Sequence, residues 1–150
     1  MTAKFLDDLH PGERFVTGGI TLSESEIIGF ALTYDPQPFH LNAVVAAESI
    51  YGGLIASGFQ VVALTFRLFI QSGMFADSSM GSPGIDELRW FAPARPGDTL
   101  HAEVEVMTVL PSKSKADRGI ARLRYSAFNQ RHELVSSFVV NHLLLRTPAA

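Results

Sequence analysis

From Gly58 to Gly73 the chain reads as a helix that is apolar nearly all round, with only Gln60, Thr65 and Arg67 interrupting the run from Phe59 to Ile70. A helix with one apolar stripe rests on a core, whereas one that is apolar on every side has to be enclosed. The run is about half of the roughly 20 residues that a bilayer crossing takes. Its enclosure is therefore expected to be protein, and no membrane association is expected.

The residues to do the enclosing follow it. Gly84 to Phe91 reads as a strand, ended by Pro93 and the Pro96-Gly97-Asp98 turn. From Thr99 onward Leu100, Ala102, Val104, Val106 and Leu110 are placed on one face, with His101, Glu103 and Glu105 on the other, which is strand periodicity. Gly119 to Phe128 repeats the pattern through Ala121, Leu123, Tyr125 and Ala127. A turn over Asn129–Glu133 leads into Leu134–Leu145, which is apolar on both faces and so is expected to be central or covered on both sides.

The first half is helical after one weak strand, Arg14–Leu22. Ser23-Glu24-Ser25-Glu26 has the form of a capping box, and Ile27, Phe30, Ala31 and Tyr34 follow at the spacings of one helix face. Ala43 to Tyr51 reads as a short helix broken by Gly52-Gly53. A helical half followed by four strands is an α+β pattern. Its simplest packing is a single hot-dog domain over residues 1–150, an antiparallel sheet curled around the apolar helix. Such a sheet leaves edges that a second copy can pair with, so a homodimer is expected, with a higher oligomer open.

At 150 residues the chain is long enough to bury a core without staples, and its net charge of -3 shows no nucleic-acid footprint. There are no cysteines, which excludes disulfides and thiolate chemistry. The N-terminus lacks an apolar signal core, and the cytoplasm is the expected compartment.

Tyr34-Asp-Pro-Gln-Pro-Phe-His40 carries the chemistry. Each proline fixes its own φ and pushes the residue before it toward extended backbone. The segment reads as a stiffened loop holding Asp35 and His40 in a fixed relation. A carboxylate and an imidazole held still are well suited to moving protons near neutral pH.

Phe30 to His40 and Tyr51-Gly-Gly-Leu-Ile-Ala-Ser-Gly58 resemble the MaoC-type dehydratases, the R-specific enoyl-CoA hydratase or hydratase 2 family. Arg89-Trp-Phe-Ala-Pro93 and Arg95-Pro-Gly-Asp98 are similar to that family's later strand and turn. The resemblance implies the hot-dog fold, a hydro-lyase of fatty-acid metabolism and a trans-2-enoyl-CoA substrate. It implies reversible addition of water, with Asp35 and His40 as the catalytic pair and the Gly58 N–H holding the thioester oxygen. Coenzyme A enters as part of the substrate, with no separate cofactor and no metal. Three positions depart from the family pattern: Pro36-Gln37-Pro38 in the middle of the loop, Ser57 where many members carry histidine, and Phe66 where some carry serine.

The chemistry fits the residues. Hydration needs a water to lose a proton as it attacks C3, a proton for C2, and stabilisation of charge on the thioester oxygen. An acid and an imidazole on one water supply the first two. A glycine N–H at a helix start, where the dipole is positive, supplies the third. Tyr34, Gln37, Phe39, Leu54, Ile55, Ser57 and Phe59 are candidates for shaping the acyl site, with Phe66 a further pocket candidate.

Other signals read as structural. His10 is assigned to the surface, and His101, His132 and His142 to structural roles, since no two histidines show close metal-ligand spacing. Ser57 lacks a Gly-x-Ser-x-Gly elbow, and Gly81-Ser-Pro-Gly84 is a connection. Arg67 is assigned to a pairing with an acid at the helix edge or at the dimer contact, with substrate contact as the functional alternative. Lys113, Lys115 and Arg118 form a polar hairpin turn, with a seat for coenzyme A phosphates as the functional alternative. A hot-dog thioesterase is the second enzymatic reading, weakened because Phe59–Ile70 contains no Asp or Glu. A non-catalytic acyl-binding scaffold is the third, and it would need neither Asp35 nor His40.

Overall fold

The computed structural model describes residues 2–150. Its elements are β1 (Arg14–Thr21), α1 (Glu24–Tyr34), α2 (Pro38–Leu41), α3 (Ala43–Glu48), α4 (Gly58–Ile70), β2 (Ile85–Trp90), β3 (Thr99–Pro111), β4 (Arg118–Phe128) and β5 (Leu134–Leu145). The five strands form one antiparallel sheet in the order β1-β3-β4-β5-β2. Helix α4 lies on it, packed against β3, β4 and β1. This is the hot-dog arrangement.

The core follows from the strand alternation. Leu100, Ala102 and Val104 of β3 and Ala121, Leu123, Tyr125 and Ala127 of β4 are fully buried. They meet Val61, Leu68 and Phe69 of α4 in two adjoining apolar clusters. A fully buried Leu or Phe side chain contributes about 1.5–3 kcal/mol, so this seam is the main force curling the sheet onto the helix.

Leu110 does not share that face. The β3–β4 register shifts between Val106 and Thr108, and the extra residue reverses the alternation beyond it. Val109 packs on the core instead, and Leu110 is 59% exposed. The apolar helix is also less enclosed than its composition implies. One chain's sheet covers only one side of it, and Phe59, Ala63 and Arg67, one turn apart, remain exposed.

Helix α1 starts where the capping box places it. Ser23 Oγ accepts from the Glu26 N–H at 3.1 Å and donates to Glu26 Oε1 at 2.8 Å. Only Ile27 and Ala31 are fully buried along it, however, and Tyr34 is exposed, because the helix touches the body of the domain along a narrow strip. Strand β5 is interior, between β4 and β2. Its inward face carries buried Phe138, Val140, His142 and Leu144. Val139 on the outer face is also buried. Beside it Arg124 pairs with Glu87 at 3.1 Å and Arg122 with Asp86 at 3.5 Å. The outer cover at this point is thus a set of charged side chains whose apolar stems lie over the strand, in place of a second apolar layer.

Candidate active site

Two prolines shape the Asp–His segment as their stereochemistry requires, but it is not loop throughout. Asp35 ends α1 with φ −151° and ψ 69°. Gln37 is extended, with φ −94° and ψ 143°, and Pro38 then opens the one-turn helix α2 that carries His40. Proline suits a first helical position because its missing N–H would have no helical partner there.

The turn brings His40 Nε2 to 3.2 Å from Asp35 Oδ2, with both side chains largely buried. The other imidazole nitrogen, Nδ1, lies 2.7 Å from the Ile55 carbonyl oxygen. A carbonyl only accepts, so Nδ1 carries the hydrogen and donates, which leaves Nε2 facing Asp35. Residues 55 and 56 are themselves tied on both sides. The Ile55 N–H donates to Phe39 O at 3.2 Å and the Ala56 N–H to Ala94 O at 2.8 Å.

Asp35 is held by more than His40. Ser57 Oγ donates to Oδ2 at 2.7 Å and Gln37 Nε2 donates to Oδ1 at 2.6 Å. Burial pushes this carboxyl up, but the bonds from Ser57 and Gln37 and the proximity of His40 outweigh it. The net result lies below the ordinary aspartate value. Ser57 is fully buried and is also the N-cap of α4, where its Oγ accepts from the Phe59 N–H at 3.3 Å. Through this one hydroxyl the positive end of α4 is coupled to the carboxylate.

Gly58 is the first residue of α4, and among the described residues no protein group accepts its N–H. A Cβ at this position would collide with the Trp90 indole. The same indole donates through Nε1 to Gly58 O at 3.0 Å. Glycine is therefore required by the close approach of the ring.

Asp35, His40 and Gly58 line one cavity of about 460 Å³. Gln37, Phe39, Ile55 and Phe59 line it as well, as the sequence reading expects. Tyr34, Leu54 and the fully buried Ser57 do not. Tyr34 is 73% exposed and lies against Phe30, and Leu54 is buried behind the wall. Phe66 does not line it either, because its ring stacks on Tyr125 and His142 in the core. The wall also includes Tyr51, Trp90, Phe91, Pro93 and Ala94. The signal for the last four was an aromatic strand end running into a proline.

The turn after them is a tight one. Pro96 and Gly97, the latter at φ 87°, are its two central residues, and the Asp98 N–H closes it onto Arg95 O at 3.0 Å. Lys113, Lys115 and Arg118 are elsewhere in this chain. Arg118 pairs with Leu145 in the sheet while Trp90 pairs with Ser136, so the hairpin and the cavity wall are nine β5 residues apart, about 30 Å at about 3.3 Å per residue. Arg118 is already engaged by Asp117 at 2.8 Å. The absence of a metal-ligand spacing also did not survive folding, since His101, Glu103 and His132 come together on the sheet's outer side.

Comparison with known proteins agrees with this fold. Residues 8–123 match the family model described as a MaoC like domain. The chain is 30% identical over 141 residues to the uncharacterized protein YdeM of Bacillus subtilis (strain 168), covering 94% of this chain and 99% of that one. It is 32% identical over 115 residues to the (R)-specific enoyl-CoA hydratase of Rhodospirillum rubrum, covering 73% and 74%. The crystal structure of the MaoC-like dehydratase from Rhodospirillum rubrum superposes with a TM-score of 0.91 at 40% identity, over 98% of this chain and 100% of that one. A family match across most of the chain, with relatives similar along nearly its whole length, shows that this chain belongs to the MaoC-like domain family.

Proposed function

We propose that this chain catalyses the reversible hydration of a trans-2-enoyl-CoA to the (R)-3-hydroxyacyl-CoA. The observation that carries the reading is one cavity lined by Asp35, His40 and Gly58 together, with no protein acceptor for the Gly58 N–H among the described residues. The similarity to an (R)-specific enoyl-CoA hydratase supports it.

The steps follow from the geometry. Hydration uses the form of His40 in which Nδ1 donates to Ile55 O and Nε2 is free to accept beside the Asp35 carboxylate. One water donating to both is held with its oxygen lone pairs free. That oxygen bonds to C3 while the π electrons of the double bond move toward C2 and the thioester oxygen. The Gly58 N–H stabilises the charge arriving on that oxygen, an effect of about 2.7–4 kcal/mol for one such donor. A proton leaves the water to the pair, and a proton from the pair is delivered to C2 on the same face, so addition is syn. Proton transfer of this kind contributes about 10²–10⁴-fold. An α,β-unsaturated thioester is electrophilic enough that the scheme asks for no metal at this site, and coenzyme A is part of the substrate.

The homodimer belongs to the same proposal. β2 is an edge strand with exposed Ile85 and Trp90, and Phe59 and Phe91 are exposed beside the cavity. A second copy covering this side would shelter the exposed stripe of α4 and close the cavity mouth. The cytoplasm is the compartment proposed for such a substrate. Among the described residues no helix is long and apolar enough to cross a membrane.

The test is a screen of trans-2-enoyl-CoAs of increasing chain length, following loss of the conjugated-thioester absorbance, with chiral analysis of the product. The expected product is the (R)-3-hydroxyacyl-CoA. Release of free thiol would establish the thioesterase instead, and binding without turnover at every length would establish the scaffold.

A further inference from the structure

A second cluster of chemically capable side chains lies on the outer face of the sheet, away from the cavity. Donor atoms of His101, Glu103 and His132 all fall within 4.8 Å of one another. His101 and Glu103 are two residues apart on β3, so they leave the strand on the same side. Their neighbours Leu100, Ala102 and Val104 point inward and are fully buried. His132 comes from the β4–β5 turn, which is well pinned. Asn129 Oδ1 accepts from the Arg131 and Glu133 N–H groups, each at 3.0 Å, and the His132 N–H donates to Asn129 O at 3.0 Å. The Phe128 ring stacks at 4.4 Å on His132 and 5.6 Å on His101, filling the space between the two imidazoles and β4. The β1 residue facing His101 is Gly19, which places no side chain over the imidazole.

We propose that His101, Glu103 and His132 bind a divalent first-row ion of the zinc type. Two imidazoles and one carboxylate are a borderline-soft ligand set suited to zinc, whereas magnesium and calcium take oxygen ligands. The spacing is right for closure. His101 Nε2 and Glu103 Oε1 are 3.6 Å apart. With no separation above 4.8 Å, some point lies within about 2.8 Å of all three donors, against about 2.0–2.2 Å for zinc to nitrogen or carboxylate oxygen. Each donor atom has to travel under about 1 Å, and the imidazoles, now stacked 5.8 Å apart with 17° between their planes, have to turn so that a nitrogen lone pair of each points at the ion. His132 is exposed, and the side chains of His101 and Glu103 are 25% and 24% exposed, so solvent access and side-chain freedom are both present. One carboxylate offsets part of the ion's charge, and water fills the remaining positions.

A bound ion ties the β4–β5 turn to β3. That turn already reaches the wall of the cavity through Gln130. Its Nε2 donates to Asp98 Oδ1 at 2.9 Å and its Oε1 accepts from the Thr99 N–H at 3.0 Å. Asp98 in turn fixes the Arg95 N–H at 2.8 Å, one residue beyond Ala94. The ion is thus a clip on a structural corner. None of its three ligands lines the cavity, and it takes no part in proton transfer.

The test uses the full chain without a histidine tag. Zinc titration by calorimetry is expected to give one ion per chain, and zinc is expected to raise the thermal midpoint in a way that a chelator reverses. His101→Ala and His132→Ala are expected to weaken binding by at least about 10–100-fold, the loss that even an outer partner of a metal ligand causes, and to abolish the thermal shift. Their midpoints in chelator, compared with the parent's, separate loss of the ion from loss of fold. Magnesium is expected to give neither signal. An Asp35→Asn/His40→Ala double variant is expected to bind zinc as the parent does. Absence of binding overturns the proposal, as does binding that survives both outer-face variants or is lost only with Asp35 and His40.

Discussion

Ser57 Oγ donates to Asp35 Oδ2 at 2.7 Å while accepting from the Phe59 N–H at the start of α4. The hydroxyl has no freedom to turn away, and it is one of the reasons the Asp35 carboxyl lies below its ordinary value. Removing it in Ser57→Ala withdraws a bond that favours the charged form, so the carboxyl titrates at higher pH. The acid limb of the kcat/KM profile is therefore expected to move upward in Ser57→Ala, with loss of an N-cap contribution of about 1 kcal/mol to stability. Ser57→Thr keeps the hydroxyl and is expected to restore the parental limb. An unchanged acid limb in Ser57→Ala would show that Asp35 does not govern it.

Asp35→Asn and His40→Ala remove one side each of the proposed water site. Each is expected to lower kcat by at least about 10²–10⁴-fold. Circular dichroism and sedimentation are expected to match the parent, because neither side chain belongs to the apolar clusters under α4. Turnover near the parental rate in both variants refutes the pair as the proton carriers.

Gly58 and Trp90 form a second coupled pair, through the indole packed on the glycine and bonded to its carbonyl. In Gly58→Ala the added methyl displaces the ring, and the start of α4 moves with it. Loss of one N–H aimed at a developing oxyanion costs about 2.7–4 kcal/mol, or roughly 10²–10³-fold in kcat. Trp90→Phe keeps most of the wall but loses the bond to Gly58 O, and is expected to cost less. A Gly58→Ala enzyme with undiminished kcat would remove this N–H from the mechanism.

Strand phase made most of this architecture legible. Ala121 through Ala127 alternate without a break, and the buried set on β4 is the one the sequence predicts. Where the phase breaks, legibility ends. The bulge at Met107 has no strong residue signature, so Leu110 falls on the wrong face. The acid and imidazole were readable because two prolines confine them within six residues. The Ser57–Asp35 bond spans 22 positions, and His132 reaches Glu103 only through strand pairing and a turn. Contacts of that range leave no local periodicity to read. The apolar all-round helix was legible as a demand for enclosure, but one chain's sheet meets only part of that demand.

His142 makes the stability of the fold depend on pH. It is buried among Phe66, Phe75 and Tyr125, with Nε2 2.8 Å from the Tyr125 hydroxyl. Burial lowers its pKa from 6.5 to about 4. The folded state therefore holds this imidazole neutral where the unfolded chain protonates it. Its contribution is fully present above about pH 6.5 and is lost as pH falls toward about 4, amounting to on the order of 3 kcal/mol across that interval. Asp7, Asp35, Asp117 and Glu133 are all held below their ordinary values, so they act at the acid end of this window and below it. Denaturant unfolding at a series of pH values is expected to show stability falling from pH 6.5 to 4.5 in the parent. In His142→Phe the slope over that interval is expected to flatten, although the variant starts lower because the Tyr125 hydroxyl loses its hydrogen-bond partner, a cost of about 1–3 kcal/mol. Equal slopes in the two proteins would assign the acid sensitivity to other groups.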